Sequence, residues 1–123
     1  PAEYFTGTVW VNMLVTDEDN VYNTQAYDVR FEAGARTYWH SHPGGQLLFV
    51  TSGNGYYQEK GKPARYLSKG DVVEIPKNVV HWHGAAPDSH FVHLGASART
   101  DLGPAEWSGP VTDAEYQEAT SRQ

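Results

Sequence analysis

Apolar and polar residues alternate along this chain with a period of two over short runs, the pattern of strands that bury one face. The alternation is cleanest from Ala26 to Phe31, where Tyr27, Val29 and Phe31 interleave with Asp28, Arg30 and Glu32. That predicts a half-buried strand with its apolar side inward. Similar runs predict strands at Thr37 to His42, Leu47 to Thr51, Tyr56 to Gln58, Arg65 to Leu67, Val72 to Ile75 and Phe91 to Ser97. The first run, Tyr4 to Val15, is apolar on both faces with a bend expected at Gly7, so it should be covered by something else. Turn chemistry separates the runs: Pro43-Gly44-Gly45, a tight turn at Gly53-Asn54-Gly55, a hairpin loop from Glu59 to Pro63, and turns at Lys69-Gly70-Asp71 and Pro76-Lys77-Asn78. Short strands punctuated every 8 to 12 residues or so are the signature of an antiparallel sandwich or barrel. A helical pattern competes only at the end, where Thr112 and Glu115 match a capping box and predict a short helix from about Asp113 to Ala119.

Composition narrows the class. A chain of 123 residues with eight Tyr and four Trp has material for one core, so residues 1–123 are expected to form a single all-β domain. Within it lie an N-terminal strand at about 4–15, a barrel at about 26–97, and a tail with its helix at about 98–123. Nine basic residues against fifteen acidic ones, with the basic residues scattered, exclude a nucleic-acid surface. The lack of Cys excludes a disulfide framework and thiolate ligands and fits a reducing compartment. No apolar run approaches the ~20 residues of a membrane span, and no signal-like segment stands out, so a cytoplasmic location is expected. The chain begins at Pro1 without Met, from which a short preceding piece is expected.

Candidate chemistry centres on histidine. His40 and His42 are two residues apart, so in an extended chain they project to one side and can close on one ion. His81 and His83 repeat that spacing about forty residues on and can add a nitrogen from a second strand. Trp39 and Trp82 have the opposite parity and should point outward. Outward Trp residues suggest a covered sheet face, hence a homo-oligomer interface (dimer or tetramer), a reading the apolar Val9 to Val15 supports. By parity, Tyr27, Val29, Phe31, Tyr38 and Leu48 are candidate walls of a pocket. His90, beside Ser89 in an expected turn, reads as a surface residue.

The fixed offsets within this histidine pattern carry a resemblance. Gly34, five residues, His40-Ser41-His42, three residues, Gln46, six residues and Gly53 resemble the first motif of the cupin superfamily, G-x5-H-x-H-x3,4-E-x6-G. Gly70, five residues, Pro76 and then His81 resemble the second, G-x5-P-x-G-x2-H-x3-N, with 16 residues between Gly53 and Gly70. The chain departs from the pattern at Gln46, which stands in place of Glu, at Asn78 in place of Gly, and at Ala85 in place of Asn. Within the superfamily it looks most like the small bacterial cupin hydroxynitrile lyases, through AEYFTGTV at 2 to 9, FEAGARTYWHSHPGGQ at 31 to 46, KNVVHWHGAAP at 77 to 87, HLGAS at 93 to 97 and VTDAEY at 111 to 116.

The resemblance implies a cupin-type double-stranded β-helix, or jelly-roll barrel. It also implies a divalent metal held by His40, His42, Gln46 and His81, with manganese first and iron, zinc, nickel and cobalt as alternatives. His83 and His93 follow as extra histidines suited to general base work on a small-molecule substrate. Gln46 matters to the chemistry because three imidazoles and an amide leave a divalent ion its full charge, which favours an anionic ligand. A metal-dependent carbon–carbon lyase of hydroxynitrile type is therefore expected. A cupin dioxygenase, or a cupin that binds a small molecule without turning it over, are the other readings the residues allow.

Overall fold

The computed structural model describes residues 2–121. Eleven strands occur in chain order: β1 (Phe5–Thr6), β2 (Val9–Val15), β3 (Thr24–Phe31), β4 (Arg36–Thr37), β5 (His40–Ser41), β6 (Gln46–Glu59), β7 (Arg65–Ser68), β8 (Val72–Ile75), β9 (His81–Ala85), β10 (Phe91–Ala98) and β11 (Glu106–Trp107). One α-helix, α1 (Asp113–Thr120), follows. All pairings are antiparallel, and the strands run β1-β4-β9-β6-β10-β3-β2, with β7 and β8 added on β6 and with β5 joining β9 to β11. The result is a nearly closed barrel of double-stranded β-helix type with a short C-terminal helix.

Strand β6 is the seam. A tight turn was expected at Gly53-Asn54-Gly55, but the strand runs through it without reversing, so Gln46–Phe49 pairs with β8 and β10 while Asn54–Glu59 pairs with β7 and β9. Gly53, at φ +73°, is there for close approach: a Cβ on it would sit 1.9 Å from the carbonyl oxygen of His90. Glycine at this point bends one strand from the first sheet into the second, where a hairpin would have ended it. The expected strand Thr37 to His42 is likewise broken, into β4 and β5, because Trp39 leaves the barrel ladder to exchange backbone bonds with Ser108 and Gly109.

Between the two sheets the inward residues of the period-two pattern form the core, with Phe31, Leu48, Leu67, Val73 and Phe91 fully buried. A second cluster lies on the outside of the sheet that contains β9, where Trp39, Tyr56 and Trp82 meet Val111, Tyr116 and Ala119 from the C-terminal segment. Here an expectation is corrected. Trp39 and Trp82 do point away from the barrel interior, yet they are 5% and 0% exposed because the chain's own helix covers them. They therefore lend no support to an interface between copies.

Helix α1 is held there by several anchors. Thr112 Oγ1 accepts from the Glu115 amide while the Glu115 carboxylate accepts from the Thr112 amide, completing the expected capping box. The buried Arg36 donates to the Val111 carbonyl and the Asp113 carboxylate and lies 4.3 Å above the Tyr116 ring. Tyr116 in turn donates its hydroxyl to the Ala85 carbonyl at 2.6 Å.

Strand β2 behaves differently. It is the edge of the strand order, and its apolar side chains stay open, with Trp10 55% and Leu14 54% exposed. Among the described residues, no helix is long and apolar enough to cross a membrane.

Candidate metal centre and catalytic cavity

Five of the six histidines converge on one end of the barrel. His40 comes from β5, His42 from the residue after that strand, His81 and His83 from β9, and His93 from β10; His42 is half-buried and the other four are buried. Register brings them together: His40 is the cross-strand partner of His81, and β9 alternates His81 and His83 inward around the outward Trp82. The sixth, His90, sits at the barrel's edge with its Nε2 2.8 Å from Ser52 Oγ.

Ligand nitrogens of His40, His81 and His83 lie within 4.8 Å of one another. His83, expected beside the ion but not on it, belongs to this group, whereas His42, expected as a ligand, does not. By ring centroids His42 and His83 lie at similar range, 5.1 and 5.4 Å from His40 and 5.8 and 5.7 Å from His81. Gln46, the first residue of β6, closes the group with its Oε1 3.2 Å from His81 Nε2.

The proton inventory tests whether a cation fits. His40 Nδ1 lies 2.9 Å from the Tyr38 carbonyl and His81 Nδ1 2.9 Å from the Val79 carbonyl. Each Nδ1 therefore carries the ring's single proton, which leaves a lone pair on Nε2 aimed inward. For His81 that lone pair faces the lone pairs of Gln46 Oε1 with no proton between them. Burial lowers the pKa of His81 to about 4, so a second proton does not resolve the conflict near neutral pH. A divalent cation does, because it turns two opposed acceptors into two ligands. His42 Nε2 points the same way: it is buried with no partner in hydrogen-bond geometry, although the Gln46 side chain approaches the ring. The donor set fits a metal, with His40, His81 and His83 as its closest nitrogens and Gln46 and His42 adjacent.

His83 and His93 form a second pair, ring to ring at 4.9 Å and nearly perpendicular. None of their four nitrogens has a hydrogen-bond partner, although the Leu94 backbone approaches His93 outside hydrogen-bond geometry. Leaving such groups unsatisfied costs roughly 1–3 kcal/mol apiece. Burial brings His42 and His93 to about 4, and burial with neighbouring imidazoles holds His40 and His83 well below the ordinary histidine range. All five rings are neutral at neutral pH.

His40, His42, His83, His93 and Gln46 line a cavity of ≈ 510 Å³; His81 does not reach its wall. Tyr27, Val29 and Phe31 line it as expected, together with Phe5, Val11, Met13 and Trp107. Tyr38 and Leu48, also expected in the wall, do not. Tyr38 lies where the chain leaves extended pairing, so parity no longer governs it, and Leu48 is wholly buried in the core. Trp107 was not foreseen: it stacks 4.5 Å from the His40 ring and 4.3 Å from Tyr4. Its strand is two residues long, too short to show a period. No described residue lining the cavity is Asp or Glu. The cavity's polar side includes Tyr27, whose hydroxyl accepts from Gln46 Nε2 at 2.7 Å and lies 2.7 Å from Ser97 Oγ.

Comparison with known proteins agrees with this geometry. The cupin domain family model matches residues 27–94. The (R)-mandelonitrile lyase of Granulicella tundricola is 43% identical over 117 residues, 95% of this chain and 88% of that protein. The acireductone dioxygenase of Bacillus cytotoxicus is 30% identical over 59 residues, 45% of this chain and 35% of that one. A crystal structure of a cupin-like protein from Thermotoga maritima superposes with a TM-score of 0.98 at 67% identity, covering 100% of this chain and 92% of that one.

Proposed function

The chain belongs to the cupin domain family, and from that premise we propose that it is a metal-dependent carbon–carbon lyase of hydroxynitrile type, cleaving a small cyanohydrin to its carbonyl compound and hydrogen cyanide. The observation that carries this reading is a cavity lined by four neutral histidines and one glutamine, with a fifth histidine, His81, beside His40, and no carboxylate among its described lining residues. Likeness to a mandelonitrile lyase over nearly the whole chain supports the substrate class.

His40, His42, His81 and Gln46 would hold the ion, with His83 within reach of it. Such an ion supplies Lewis acidity at full positive charge, since every donor is neutral, and so favours an oxygen or cyanide ligand. Imidazole and amide donors suit manganese, iron, cobalt, nickel and zinc alike, and manganese is the first to test. His83 and His93, neutral and without hydrogen bonds, have free lone pairs with which to take the hydroxyl proton of the substrate. As that O–H bond is lost, the oxygen's electrons form the carbonyl and the carbon–carbon bond breaks toward the nitrile. The proton then passes from the imidazole to cyanide, which balances the reaction without an oxidant. Phe5, Phe31 and Trp107 supply apolar and aromatic surface for the substrate's organic group and keep bulk water away.

The test is direct. Protein loaded with manganese should release benzaldehyde from mandelonitrile, chelator-stripped protein should not, and added manganese should restore release. Equal, background-level release from loaded and stripped protein would overturn the proposal. The dioxygenase reading rests on the shorter likeness to acireductone dioxygenase, and oxygen consumption with an enediol substrate and no cyanohydrin cleavage would favour it instead.

A further inference from the structure

A glutamine side chain can offer a site either its oxygen or its NH2, and the choice made by Gln46 is set outside the histidine cluster. Its Nε2 donates to the Tyr27 hydroxyl at 2.7 Å, while its Oε1 faces His81. A phenol oxygen that receives this N–H must place its own proton elsewhere, and Ser97 Oγ lies 2.7 Å away to take it. If Tyr27 instead gave its proton to Gln46, the amide would turn its NH2 toward His81, and the cluster would lose its oxygen donor.

Strand register builds this arrangement. On β10, Ser97 is the cross-strand neighbour of Gln46, and Gly95 is that of Tyr27. A Cβ on Gly95 would lie 2.2 Å from Tyr27 Cε2, so the ring rests flat where any other side chain would stand. Lying across β10, the ring delivers its hydroxyl diagonally to residues 97 and 46. Three adjacent strands thus contribute one hydrogen-bonded row that ends at the site.

We propose that Tyr27 is a positioning residue, backed by Ser97 and seated on Gly95, that locks the Gln46 amide with its oxygen toward the histidines and so makes glutamine a competent ligand. The inference rests on the cation-holding part of the proposed function and is independent of the lyase part.

The experiment measures the affinity of the full chain for manganese(II) alone, by calorimetry or chelator competition. Tyr27→Phe keeps the ring over Gly95 and removes the hydroxyl, and should weaken affinity by about 10- to 100-fold, the usual cost of losing a partner that orients a ligand. Ser97→Ala should weaken it in the same direction by less. In a Gln46→Ala background, Tyr27→Phe should change affinity less than about twofold, because the group it orients is gone. Unchanged affinity in Tyr27→Phe would overturn the proposal, and so would an equal loss with and without Gln46. Should Tyr27→Phe fold poorly, Gly95→Ala displaces the ring with its hydroxyl intact and must produce the same Gln46-dependent loss. A protein that shows this coupling yet does not cleave mandelonitrile refutes the lyase reading alone, and one that cleaves it without the coupling refutes this inference alone.

Discussion

The two sides of strand β9 meet different interiors. Outward, Trp82 is wholly buried beneath α1, and its indole N–H donates to Gln58 Oε1 at 2.8 Å. Inward, His81 and His83 are as deeply buried, yet both nitrogens of His83 lack a partner and His81 Nε2 faces another acceptor. One sheet therefore separates a face where every polar tip named here is answered from a face where several are not. An unanswered buried donor or acceptor is tolerated only where something else pays for it, and a ligand is the usual something. The outer face is thus a stability device and the inner face a binding device, although the same five-residue strand builds both.

This contrast can be broken from either side. The largest effect is expected on the inner face: His81→Ala should reduce manganese content and cyanohydrin cleavage by more than ~100-fold, beyond the cost of losing an outer hydrogen-bond partner. Metal analysis and benzaldehyde release check this, and the variant should still fold, because an unsatisfied buried nitrogen has been removed with the ring. On the outer face, Trp82→Ala should cost about 3–5 kcal/mol of stability by opening a cavity under α1. Denaturant titration reads that loss, and the fraction that remains folded should bind manganese with unchanged stoichiometry.

Acid separates the faces in a third way. His42, His81 and His93 are held near 4 in the folded protein against an ordinary value of 6.5, so the unfolded chain binds more protons between those limits. Their stabilising contribution is whole above about 6.5 and is lost as the pH falls toward 4. Metal-free protein should therefore lose about 1.4 kcal/mol per pH unit for each such ring across that window, seen as a falling denaturation midpoint. A midpoint that stays level from pH 7 to 4.5 would contradict neutral buried imidazoles. The smallest effect belongs to the helix start: Thr112→Ala removes one half of the capping box and should cost about 1 kcal/mol, with no change in metal affinity.

Much of the site was legible before any tertiary contact was known. The spacing of His40, His42 and Gln46 singled out residues that line the cavity, that of His81 one that meets His40, and period-two parity sent Val29 and Phe31 inward. Asn78, standing where a cupin motif has Gly, adopts φ +63°, a left-handed conformation that Asn tolerates better than most residues, so the substitution preserves the turn. Other features were not legible because they depend on segments far apart in the chain. Gly53-Asn54-Gly55 has the composition of a hairpin turn, and only the approach of His90 to Gly53 and of Gly84 and Phe91 to Gly55 shows that its glycines make room for neighbouring segments. Trp107 reaches His40 through a two-residue strand that no periodicity can reveal.

Local chemistry repeated at fixed offsets determined, from sequence by itself, that this is a β-strand barrel with a histidine-rich, glutamine-bearing site and a capped terminal helix. Such features need only the pleat of a strand and the first turn of a helix. The tertiary structure alone decided what lies across from what: that α1 covers Trp39 and Trp82, that His83 stands within ligand distance of His40 and His81, and that Tyr27 crosses Gly95 to reach Gln46. Those outcomes follow from register between strands, and register is a property of the closed barrel that no single stretch of the chain contains.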